Sequence, residues 1–171
     1  MANYKNLDGL LVRYGLDTAK GAQVGAPSVL GAVKQWIGIL EAGRLTLAGG
    51  LIGGVPDVVF PVGSVILRAN LIVTETFTSG GAATLDLGLA NKDGTYTNLN
   101  ETGIAAAIAL ATLAAGSVVA LTGALVGAGT ARATTVVSYP SYDVDVALYT
   151  AGKALMVIEY VEPMYPDQNP D

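Results

Sequence analysis

Asp143 and Asp145 stand two residues apart in Ser-Tyr-Asp-Val-Asp-Val. Two carboxylates become acid/base catalysts when a fold holds them across a cleft from one another. Strand alternation instead places this pair side by side on one face, as solvated charge that discourages pairing at a sheet edge. Asp86, Asn91 and Asp93 bring three oxygen ligands close together in sequence, and Asp93-Gly94 at a loop tip would suit calcium, but the spacing is not that of an EF-hand. Asn91 to Thr95 reads more simply as a polar turn with Gly94 at positive φ. The glycine-rich run Thr78-Ser-Gly-Gly-Ala-Ala-Thr-Leu-Asp-Leu-Gly-Leu89 leads into a strand, whereas a phosphate-binding loop leads through Lys-Ser/Thr into a helix. Gly123, Gly127 and Gly129 lack both a lysine and a downstream acidic partner for a ribose.

The chain contains no histidine and no cysteine. That removes disulfides, thiol catalysis, zinc or haem ligation by these residues and the usual neutral-pH proton shuttle. A hydroxyl nucleophile has no histidine to activate it. The sequence therefore predicts no enzyme, no cofactor and no metal. Net charge is −5 and the basic residues are scattered, so no nucleic-acid surface is expected.

The 171 residues suit one domain. Hydrophobic residues make up 51% and charged residues only 13%, against roughly one quarter in ordinary globular chains. Too few charges to coat a lone monomer point to surface buried against other subunits. The start of the chain lacks the charged and apolar regions of a secretory signal. No charge occurs between Glu101 and Arg132, but Ala, Gly, Ser and Thr dilute Ile104 to Val126 too far for a good membrane span.

Period-two alternation marks the strands. Val65, Leu67, Ala69, Leu71 and Val73 are expected on one face, with Arg68 and Asn70 on the other. After a turn at Ser79-Gly80-Gly81, Leu85, Leu87 and Leu89 repeat the pattern, as a hairpin with that strand or elsewhere in its sheet. Trp36 to Leu40, followed by Arg44 to Leu47, and also Ser117 to Val126 and Ala133 to Tyr139, read as strands. Asp143 to Val146 and Ala154 to Val161 form a hairpin turning at Thr150 to Lys153. Asn98 and Glu101 have capping-box spacing, alanines follow, and Gly116 offers a left-handed stop. A helix of about three turns is expected there, burying Ile104, Ile108 and Ala111. These elements predict an all-β protein, an antiparallel β-sandwich or jelly roll with one short helix. Residues 1–30 form an extended N-terminal arm, 31–162 the sandwich and 163–171 a loose acidic tail.

The segments Asn6-Leu-Asp-Gly-Leu-Leu-Val-Arg-Tyr-Gly15, Val65 to Thr95 and Val144 to Tyr160 resemble small virion proteins of tailed bacteriophages, in particular jelly-roll-like head decoration, or cement, proteins. The resemblance implies a structural role: binding the phage major capsid protein on the capsid exterior, after assembly in the host cytoplasm, as a homo-oligomer, trimer or dimer. It supplies no catalytic or ligand residues. Partner contacts are expected at Tyr4, Leu10, Val12, Arg13 and Tyr14 in the arm, and at Trp36, an apolar anchor for either core or interface. Two alternatives stay open, a tail- or fibre-associated glycan-binding module and a membrane-active protein using residues 104–126.

Overall fold

The computed structural model describes residues 33–55, 60–92, 96–127 and 138–161. The strands among them are β1 (Lys34–Glu41), β2 (Gly50–Leu51), β3 (Gly54–Val55), β4 (Val65–Ser79), β5 (Thr84–Lys92), β6 (Tyr96–Ala109), β7 (Val118–Leu121), β8 (Tyr139–Asp145) and β9 (Tyr149–Val161). They form two antiparallel sheets ordered β3-β1-β9-β4-β7 and β2-β8-β5-β6. The pairings nest: β1 with β9, β2 with β8, β4 with β7, β5 with β6. A long hairpin rolled into two layers produces this nesting, which is the jelly roll; β3 adds a short edge beside β1. The fold class read from the sequence is thus the observed one.

Alternation builds the core between the layers. Leu85, Leu87 and Leu89 of β5 are fully enclosed, as are Leu71 and Val73 of β4 and Met156 and Ile158 of β9. Each such side chain contributes about 1.5–3 kcal/mol by leaving water. At one end Trp36 meets Phe60 and Tyr139 edge-on, at centroid distances of 6.5 and 5.9 Å. Glycine at 38 and 54 makes room for it, because a Cβ at either position would lie 2.2 Å from the indole ring.

Four expectations change on contact with the structure. The helix expected from Asn98 to Gly116 is instead β6 followed by a 3-10 turn, Leu110–Thr112. A helix would leave the long edge of β5 unpaired; ladder bonds and burial outweigh alanine's preference, which is under about 1 kcal/mol per residue. Ile104 and Ile108 are buried as expected, although a register shift between Leu85 and Leu87 interrupts the alternation between them, while Ala111 is exposed. Gly116 does adopt a left-handed φ of +84°, in the turn before β7.

In β4, Ala69, Leu71 and Val73 face inward as predicted, but the register shifts between Ile66 and Arg68. That irregularity reverses the face, so Ile66 is fully buried and Leu67 is 41% exposed. Arg44 to Leu47 forms a turn after β1 and not a strand. Most of the strand expected at 133–139 lies outside the described residues; Tyr139 and Pro140 open β8.

The hairpin expected of Asp143 to Val161 does not form, and the strands at 65–73 and 84–89 pair neither as a hairpin nor within one sheet. β4 and β5 lie in different sheets, as do β8 and β9, and both connections cross between layers. The second turns at 146–148, with Val146 at φ +71°, and Thr150 to Lys153 lie inside β9. Crossing gives β8 and β9 two neighbours each, where a terminal hairpin would give them one.

Candidate protein-docking face

The outward side of the β1-β9-β4-β7 layer carries an unusual set of residues. Antiparallel sheets with one buried face normally present polar side chains on the other. Here register aligns two central rows across four strands, Ile39–Leu155–Ile72–Val118 and Ile37–Val157–Asn70–Ala120. Val118 is 65% exposed, Ile39 49% and Ile72 37%. At about 4.8 Å between strands and 3.3 Å per residue, the rows and their borders cover roughly 19 by 20 Å.

Charge borders this apolar band at both ends. On one side Gln35, Glu159 and Arg68 share a row, and the Arg68 guanidinium grips Glu159 with two bonds of 2.6 and 3.0 Å. The carboxylate holds the guanidinium proton still more firmly than usual, first by hydrogen bonding and then by its charge. On the other side Glu41, Lys153 and Glu75 share a row, with Lys153 Nζ 4.0 Å from Glu41 and Arg44 Nε 3.4 Å from the same carboxylate. An apolar centre with a polar rim is the anatomy of a protein interface.

The opposite layer gathers acid instead. Asp86 and Asp143 are directly paired across β5 and β8, and Glu101 hydrogen-bonds to Asp143. That bond, followed by burial and the charges of Asp143, Asp86 and Asp145, raises the Glu101 carboxyl above its ordinary range. Asp145 is exposed and Asp143 half-buried, so the pair sits on an open sheet face and not across a cleft. Among the described residues no group of three His, Cys, Asp or Glu is arranged to hold a metal. Asp93 lies outside the described residues. No described helix is long and apolar enough to cross a membrane.

Trp36 is completely enclosed by its own chain, which takes the core alternative of the two it offered. Tyr4, Leu10, Val12, Arg13 and Tyr14 lie outside the described residues. Sequence reasoning missed the docking face itself. The signal was present in Trp36-Ile37-Gly38-Ile39-Leu40, apolar on both sides of the strand, as strands covered on both faces are.

No family model matches the chain, and no curated protein does. Solved structures do. The chain is similar to one in the capsid of Ralstonia phage GP4, with a TM-score of 0.52, 20% identity and coverage of 80% of this chain and 88% of that one. It is also similar to one in the Cyanophage Pam1 capsid asymmetric unit, with a TM-score of 0.51, 19% identity and coverage of 77% and 86%. At these identities the likeness is one of fold: a jelly roll shared with chains of phage capsids.

Proposed function

We propose that the chain is a structural component of a bacteriophage virion, a head decoration protein that binds the major capsid protein on the shell exterior and stabilises it. The observation that carries this reading is the apolar, charge-rimmed outward face of the jelly roll. The low charge of the whole chain and the fold shared with phage capsid chains support it. In this reading the sandwich is a rigid body made in the host cytoplasm. The arm, residues 1–30 with Tyr4, Leu10, Val12, Arg13 and Tyr14, or the tail, residues 163–171, reaches neighbouring subunits. Many symmetric copies turn individually weak contacts into firm attachment.

Glycan binding finds less support, because a sugar platform needs exposed aromatic rings. Every described aromatic side chain, including Trp36, Tyr139, Tyr142, Tyr149 and Tyr160, is buried. The test is to prepare heads with and without this protein and compare their resistance to heat and osmotic shock. Greater resistance with the protein is expected; equal resistance removes the bracing role.

A further inference from the structure

The charged corners of the apolar band alternate in sign. On β9, Lys153 stands at one end and Glu159 at the other; on the adjacent β4, Glu75 lies beside Lys153 and Arg68 beside Glu159. Around these two central strands the signs therefore run plus, minus, plus, minus, with Glu41 of β1 adding a second minus beside Lys153. Such a pattern changes sign under any two-fold rotation about an axis lying in the plane of the sheet, along or across the strands. A second copy laid face to face by either rotation puts cation on anion at these four positions and lays the two central rows, Asn70 and Ala120 included, on one another. From this self-complementarity we infer that the outward face of the β1-β9-β4-β7 layer is a self-association surface whose occupant is the same face of a second copy of the chain.

Complementarity of both charge and apolarity selects this occupant. A partner carrying one sign of charge would match only half the corners. Two twisted sheets stack face to face about 10 Å apart, the same packing that builds the interior of the domain. The face is smaller than the roughly 800 Å² each partner contributes to a standard stable complex, so the pair is weak and concentration-dependent in free solution. With this face taken by a second copy, contact of the proposed virion component with the shell falls to its other surfaces; the two readings are tested separately, since two copies pair or fail to pair whether or not a shell is present.

Sedimentation velocity of the full chain over a wide concentration range tests it. A reversible shift from monomer to dimer is expected. Ile72→Asp, at a solvent-exposed position that leaves the core intact, abolishes the shift, with circular dichroism confirming the fold. Glu75→Lys places like charges at two symmetry-related corners and weakens association about tenfold. Reversing Asp145 on the other layer leaves it unchanged. A chain that stays monomeric throughout overturns the inference, whether residues 1–32 or a capsid shell then prove to cover the face. A dimer insensitive to Ile72→Asp and Glu75→Lys overturns it as well.

Discussion

The Asp86 carboxylate of β5 accepts a hydrogen bond from the backbone N–H of Ala107 on β6, where Ala107 sits at φ +48°. A left-handed conformation costs an L-residue about 1–2 kcal/mol, and a charged acceptor on the amide offsets it. Asp86→Ala is expected to lower the free energy of unfolding by about 1–2 kcal/mol in urea titration. Asp86→Asn, which keeps an acceptor, loses less. A fully stable Asp86→Ala would show that the bond contributes nothing.

Gly88 marks the closest approach of β5 to β6. A Cβ there would lie 2.0 Å from the Asn100 carbonyl oxygen and 2.4 Å from that of Glu101, both backbone atoms that cannot swing aside. Gly88→Ala should cost about 1–3 kcal/mol, read as a drop in melting temperature. Gly43, with nothing within 4 Å of a built Cβ, is the control. Gly43→Ala is expected to be neutral or stabilising by about 0.4–1 kcal/mol.

The acidic face sets a pH dependence. The Glu101 carboxyl is raised by its bond to Asp143, by burial and by three neighbouring carboxylates. A raised folded-state value means that the folded chain holds this proton more tightly than the unfolded chain. The resulting stability is present below the ordinary glutamate range and is lost as pH rises through the folded-state value. Denaturation midpoints should therefore decline across that interval, and Glu101→Gln should flatten the decline. An unchanged slope in Glu101→Gln would assign the effect elsewhere.

Tyr149 packs edge-on against Phe77 at 5.2 Å, and burial, aided by the charge of Asp86, pushes its phenol up to about 12. The unfolded chain loses this proton near 10, so stability present below that pH falls between about 10 and 12. Spectrophotometric titration should show a late-ionising tyrosine that Tyr149→Phe removes. The hydroxyl is buried with no hydrogen-bond partner among the described residues. Tyr149→Phe should then match or exceed the parent in stability at neutral pH and remove its part of the alkaline loss.

Local period carried much of the fold. Leu85, Leu87 and Leu89 alternate without interruption and are buried as read. What failed was decided by distant partners. The alanines of β6 look helical until β5 supplies a ladder, and the reversal at Ile66–Arg68 depends on how β4 meets β9. Thr150 to Lys153 has turn chemistry, yet β4 holds that segment within β9, with β1 joining at Lys153. The docking face needed register across four strands; sequence held only its hint, apolar residues on both sides of β1.

Nested pairing also constrains how the chain comes off the ribosome. β1 binds β9, so Lys34–Glu41 waits until Tyr149–Val161 has been synthesised before it finds this neighbour. The layer bearing Ile39 and Ile72 cannot close before β9 has emerged. Such long-range closure makes folding slow and leaves unpaired edges open to other nascent chains in the meantime.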